Sequence, residues 1–310
     1  MTTLLITHNQ SGLNHLTPPG HPERPDRLRA LAQVFDDERF QYLMRVEAPA
    51  APLETVALCH PMEYIEALRE ASPQQGLVAI DADTSMSPGS FEAAVRAVGG
   101  ATLAVDEVVG KRADNAFVCM RPPGHHTETA RAMGFCLFNT AAIAGRHAQK
   151  KHGLGRVAVI DFDVHHGNGT QDIFWSDKTA MYCSTHQMPL YPGTGAPSER
   201  GDHDTIVNAP MSPGDGSDLF REAFEAAILP RIADFGPDLI VISAGFDAHW
   251  RDPLANLNLT EADFGWATVK LMELAEKRCQ GRIVSVLEGG YDLEGVSRSV
   301  AAHVTALRGA

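Results

Sequence analysis

The chain is predicted to be an α/β protein, with residues 1–310 forming one domain built on an open parallel sheet with helices on both faces. Three observations predict it. Six short runs are apolar or β-branched with little polar alternation, as strands covered on both sides read. Long amphipathic stretches alternate with them, the order of a parallel sheet with crossover helices. Five of the runs lead directly into loops rich in Gly, Pro, His or Asp. The carboxyl ends of such strands are where open α/β sheets bind ligands.

Taken in order, residues 4–7 (LLIT) read as the first strand, and helical patterns follow at 24–37, 61–71 and 88–109. Ser87 is expected to cap the last of these, with Pro88 in its first turn. Residues 116–120 (AFVCM) form the next strand, 140–152 a helix, and 157–161 (VAVID) and 181–185 (MYCST) two more strands. A helical pattern at 217–235 precedes strand 239–243 (LIVIS). The helix at 260–278 opens on a Thr260 cap and an acidic first turn, Glu261 and Asp263. Strand 283–287 (IVSVL) and helix 293–307 complete the pattern, with no repeat, low-complexity run or linker between elements.

At 44% hydrophobic and 21% charged residues, the composition is globular and excludes disorder, collagen and coiled coil. A chain of 310 residues buries enough apolar surface to fold without a metal, so a metal site here reads as functional. The formal charge of −13 argues against nucleic acid and anionic membranes as partners. It leaves a cationic substrate open. Five separate cysteines without a C-x-x-C pair point to buried thiols in a reducing compartment. The first residues lack the basic region of a signal peptide, and no apolar run approaches the ~20 residues that span a bilayer. The expectation is a soluble, cytoplasmic protein, with homo-oligomerisation left open.

Four clusters carry chemistry. Asp161-Phe162-Asp163-Val164-His165 follows a strand, and alternation in extended chain would put Asp161, Asp163 and His165 on one face. Two carboxylates and an imidazole suit a divalent metal such as Zn²⁺. The competing reading is two helix caps and a solvated His. Asp247, in Ser243-Ala244-Gly245-Phe246-Asp247, is a candidate third ligand or a turn residue. Three protein ligands with an open position is the catalytic form of a zinc site. Arg121-Pro122-Pro123-Gly124 is a stiff turn that presents His125 and His126 for acid–base work, unless they are surface residues. Glu288-Gly289-Gly290 turns sharply before Tyr291, whose hydroxyl suits an oxyanion donor or a core position. Each bland alternative stands alone; all four at strand ends together point to metal-assisted hydrolysis of an amide or ester. Of fourteen histidines, His8, His15, His60, His147, His152 and His303 are read as ordinary surface or core residues.

From His21-Pro22-Glu23-Arg24-Pro25 to Tyr291 the sequence resembles the histone deacetylase superfamily, with its arginase/deacetylase fold, and specifically class II-like bacterial members. The motifs are RPPGHH at 121–126, GFCLFN at 134–139, DFDVHHGNGTQ at 161–171, YPGTG at 191–195, SAGFDAH at 243–249 and EGGYDL at 288–293. The resemblance implies Asp163, His165 and Asp247 as Zn²⁺ ligands, His126 as general base and acid, and His125 tuned by Asp161. It implies Tyr291 as the carbonyl-polarising residue. It further implies that Gly134, Phe135 and Tyr191 line an acyl-lysine channel, with Leu254 at its gate and Asp83 holding substrate backbone. A structural K⁺ is implied at Asp161 and Asp163 with backbone near Ser184. Asn168 stands where class I members place a carboxylate beside the second histidine, a feature shared with class II-like members. Arginases hold two metals with a D-x-D pair; Asp247-Ala248-His249 lacks the second carboxylate, which favours one metal.

The activity implied is zinc-dependent removal of acetyl or other acyl groups from lysine side chains of proteins or peptides. Acetylpolyamine hydrolysis is the alternative. Apolar Leu254 leans towards acyl-lysine, whereas Asp83, Glu23 and the negative charge would steer a polycation. A non-catalytic binding protein of the same fold is a third reading, opposed by the intact Tyr291, His126 and three ligands.

Overall fold

The computed structural model describes residues 1–309. Its strands are β1 (Thr3–Thr7), β2 (Met44–Glu47), β3 (Val78–Ala79), β4 (Ser85–Met86), β5 (Asn115–Val118), β6 (Val157–Asp161), β7 (Ala180–Gln187), β8 (Ile206–Met211), β9 (Leu239–Ala244) and β10 (Ile283–Leu287). Eight form one sheet in the order β2-β1-β5-β10-β9-β6-β7-β8, every neighbouring pair parallel. β3 and β4 make a separate antiparallel hairpin.

The helices are α1 (Asn9–Asn14), α2 (Asp26–Phe35), α3 (Leu53–Val56), α4 (Met62–Ala71), α5 (Ser90–Val109), α6 (Thr140–His152), α7 (Asn168–Phe174), α8 (Ser217–Ala223), α9 (Leu229–Phe235), α10 (Glu261–Cys279) and α11 (Leu293–Leu307). They cover both faces. Val157, Val159 and Val241 pack with Val98 of α5 and Ile143 of α6 in one core. Ile160, Ile240 and Ile242 pack with Phe264 of α10 and Val300 of α11 in the other. Successive strand residues serve opposite cores, which is why these strands carry no polar alternation.

Departures from the sequence reading have physical causes. β2 and β8 are edge strands. β2 (MRVE) is largely exposed, and β8 carries Pro210, tolerated where one side of the ladder is unpaired. The helix expected at 217–235 is interrupted by a π-helical turn, Phe224–Ile228, just before Pro230, which has no N–H to donate. Pro88 lies outside α5, whose N-cap is Gly89. Thr260 and Asp263 form the expected reciprocal cap of α10. Among the described residues no helix is long and apolar enough to cross a membrane. All five cysteines are free and buried.

Candidate functional site

With every strand of the main sheet parallel, the loops after β5, β6, β9 and β10 emerge at one rim. Residues Asp161, Ser184 and Ser243 stand side by side in the ladder at that rim. β6 ends at Asp161, so strand alternation does not bring Asp163 and His165 together, as the sequence reading had it. A hydrogen-bonded loop does so instead. The Asp163 amide donates to Asp161 Oδ1 at 3.1 Å, and the His165 amide to Asp163 Oδ1 at 2.9 Å. The Val164 amide donates to Asp247 Oδ1 at 2.8 Å, which ties the β6 loop to the β9 loop. The Gly289 amide donates to Asp163 Oδ2 at 2.8 Å and brings in the β10 loop. Gly245 has no Cβ because one would overlap the Asp163 carboxylate.

Asp163, His165 and Asp247 thus converge, each offering a donor atom within 4.8 Å of the others, all buried. His165 Nδ1 lies 3.2 Å from Asp163 Oδ1 and 3.1 Å from Asp247 Oδ2. Neither carboxylate makes an ion pair with Lys or Arg among the described residues. Burial would lower the His165 pKa, yet its bonds to both carboxylates raise it to about 10. Two buried carboxylates around one imidazole make a donor set that fits a borderline divalent metal. Asp106, His147 and His152 form a second such group elsewhere.

Asp161 faces the tandem histidines. Its Oδ2 stands 3.0 Å from His125 Nδ1 and accepts the Tyr182 hydroxyl at 3.0 Å. Burial disfavours charge on His125, but Asp163 and Asp161 raise its pKa well above the usual value. His126 lies beside it, ring centroids 4.0 Å apart, with Nδ1 2.9 Å from Asn168 Oδ1. Burial, then the neighbouring His125 and His165, push the His126 pKa well down. Asn168 in turn donates to Glu128 at 2.8 Å, which orients its amide oxygen towards the imidazole.

A cavity of about 230 Å³ opens above these groups, lined by Asp83, His126, Gly134, Phe135, His165, Leu190, Tyr191, Leu254 and Tyr291. Phe135 packs edge-on against Tyr291 at 5.8 Å, and Tyr191 against His126 at 5.1 Å. Phe135 holds a left-handed backbone, φ 70°, with its amide bonded to Thr84 Oγ1 at 3.0 Å. Gly134 has φ 58°, and a Cβ there would strike the His126 ring. Asp83 accepts the Gly134 amide at 3.2 Å, so the β3–β4 hairpin supports the cavity wall. Burial, then Asp247, raise the Tyr291 pKa well above normal, so its hydroxyl stays protonated.

The sequence reading missed the scaffold behind this wall. Glu288 accepts the Gly124 amide at 2.6 Å and the His125 amide at 3.2 Å, setting the tandem histidines from the β10 loop. Arg27 donates to the Gly290 and Glu288 carbonyls and lies 4.9 Å over the Tyr291 ring. Asp252 accepts the Tyr291 amide at 2.7 Å and the Leu254 amide at 3.1 Å, so it joins the Leu254 loop to the Tyr291 loop. Glu23 corrects one expectation. It is fully buried, paired with Arg121 and with Arg27 at 3.1 Å, and is not available to steer a substrate. Only the EGGY pattern hinted at Glu288; Arg27 lies far from Tyr291 in sequence, and Asp252, two residues before Leu254, reads as an ordinary turn acid.

A family model described as histone deacetylase domain matches residues 21–307. A probable deacetylase of Archaeoglobus fulgidus is 40% identical over 304 residues, covering 95% of this chain and 83% of the relative. A histone deacetylase-like amidohydrolase of Pseudomonas aeruginosa is 38% identical over 277 residues, covering 88% and 73%. The crystal structure of the HDA15 HD domain superposes with a TM-score of 0.94 at 36% identity, covering 99% of this chain and 88% of that one. Sequence and fold therefore agree across nearly the whole length, and the chain belongs to the histone deacetylase family of deacetylases and amidohydrolases.

Proposed function

We propose that the protein is a Zn²⁺-dependent amidohydrolase that removes acetyl or other acyl groups from N-acylated lysine side chains. The observation that carries this is the three-donor cluster of Asp163, His165 and Asp247 at a cavity that His126 and Tyr291 also line. A Zn²⁺ ion held by those donors supplies Lewis acidity to an acyl carbonyl and acidifies water.

The chain's own residues do the rest. His126, low in pKa and held through Nδ1 by Asn168, is a neutral base whose Nε2 takes the proton of the attacking water. The Tyr291 hydroxyl donates to the oxyanion that develops on the carbonyl. His125 stays protonated against Asp161 and offsets the negative field of the carboxylates. His126 then gives its proton to the leaving nitrogen as the C–N bond breaks, releasing carboxylate and free amine. Phe135 and Tyr191 exclude water from the acyl-lysine stem, and apolar Leu254 favours a substrate without a distal charge at that point.

Acetylpolyamine hydrolysis is the second reading, favoured by Asp83, whose carboxylate also lines the cavity and suits a distal ammonium. Asp83 as a holder of substrate backbone and a K⁺ ion at Asp161, Asp163 and Ser184 rest on the family resemblance. The buried free thiols fit a reducing compartment, the cytoplasm in our reading. The test compares turnover of acetyl-lysine peptide and N-acetylputrescine, with and without chelator. Tyr291→Phe is expected to lose about 10²–10³ in kcat while keeping its metal. Unchanged turnover in that variant, or turnover that survives complete metal removal, overturns the mechanism.

A further inference from the structure

We propose that Asp106, His147 and His152 form a second metal site, for Zn²⁺ or Co²⁺, that clamps α5 to α6. The two histidines carried no assigned role in the sequence, and the catalytic mechanism does not use them. His147 Nε2 lies 2.9 Å from Asp106 Oδ1, and His152 Nε2 lies 2.7 Å from the same oxygen. All three donors fall within 4.8 Å of one another and are partly buried, with ring centroids 6.0 Å apart. Lys151 Nζ holds the other carboxylate oxygen, Oδ2, at 2.8 Å. The carboxylate therefore offers a single oxygen, and two imidazoles with one oxygen are a borderline divalent ion's ligands. Donors around tetrahedral zinc stand about 3.3 Å apart, so each histidine–aspartate pair opens by only about half an ångström to admit the ion.

Helix placement adds an independent reason for a cation. Asp106 is in the last turn of α5 and His152 is the last residue of α6. The partial negative charges of both helix C-termini meet here. α5 leads into β5 and α6 into β6, so the cluster lies towards the amino ends of the strands, opposite the rim that carries the catalytic residues. Lys151 opposes the added charge, which sets the affinity below that of a buried structural zinc site.

The experiment counts metal. Protein loaded at the catalytic site is dialysed against low-micromolar free Zn²⁺, and bound zinc is measured by mass spectrometry. Two ions per chain are expected. H147A/H152A and the hydrogen-bonding H147N/H152N are expected to hold one, with deacetylase turnover as in the wild type. A catalytic-ligand variant, H165A/D247N, is expected to lose turnover and keep one ion, which separates this site from the catalytic one. With Co²⁺ alone, the same variant gives the visible absorption of imidazole-ligated cobalt. One ion per chain in the wild type, or two in the histidine variants, overturns the proposal. In that case the cluster is a metal-free hydrogen-bonded clamp between helices.

Discussion

His303 lies under the loops that carry Asp163 and Asp247, and its burial predicts a specific acid sensitivity. Its ring packs against Phe162 at 6.1 Å and Phe246 at 5.6 Å, the residues next to Asp163 and Asp247. Nδ1 is 2.6 Å from Thr268 Oγ1 and Nε2 is 2.8 Å from Ser285 Oγ, with no exposed surface. Burial lowers its pKa from 6.5 to about 3. The unfolded chain therefore binds a proton below about pH 6.5 that the folded chain refuses until about pH 3. The stability from neutral His303 is complete above the unfolded value and is lost as pH falls towards the folded one. At about pH 5 the loss is about 2 kcal/mol, 1.5 pKa units at about 1.36 kcal/mol each. His303→Gln keeps a polar amide for both hydroxyls and cannot titrate. Urea unfolding of both proteins at about pH 7.5 and about pH 5 should show the wild type losing about 2 kcal/mol more than the variant. Equal losses would refute the reasoning.

Three other outcomes follow from the same geometry. Glu23→Gln leaves Arg27 and Arg121 buried without their counter-charge and should cost about 3–5 kcal/mol in urea unfolding; a cost under about 1 kcal/mol contradicts the buried network. Gly134→Ala drives a Cβ into the His126 ring at a positive φ; at least a tenfold loss of kcat at full metal content is expected, and normal turnover argues against the close approach. Asn168→Asp places an anion on His126 Nδ1 and stabilises its protonated form. The acid limb of the kcat/KM profile should move to higher pH, and a shift to lower pH would reverse the assigned partnership.

The interior of the fold was legible because β6, β9 and β10 are buried on both faces and their sequences show it directly. The edge strands were not: β2 is mostly solvent-facing and β8 contains a proline, so neither reads as sheet. The residue types of the Asp163, His165 and Asp247 cluster were legible, but strand alternation does not gather them, since the chain leaves the strand at Asp161. Glu23 looked like a surface acid because nothing local shows that α2 and the β10 loop close over it. His147 and His152 looked ordinary because their partner, Asp106, lies 41 and 46 residues away.

By itself the sequence determined the order of buried strands and helices, the polar loops at strand ends and the residue types needed for metal-assisted hydrolysis. All of these are local properties: periodicity, turn chemistry and side-chain identity. The tertiary structure decided which carboxylate faces which imidazole. Asp161 turns to His125 and Asp163 to His165, although the two carboxylates are only two residues apart. It also decided that Arg27 and Glu288 hold the loops of Tyr291 and His125 from behind. Those contacts span long stretches of chain, and they form only once both cores close on the sheet and exclude water from the rim.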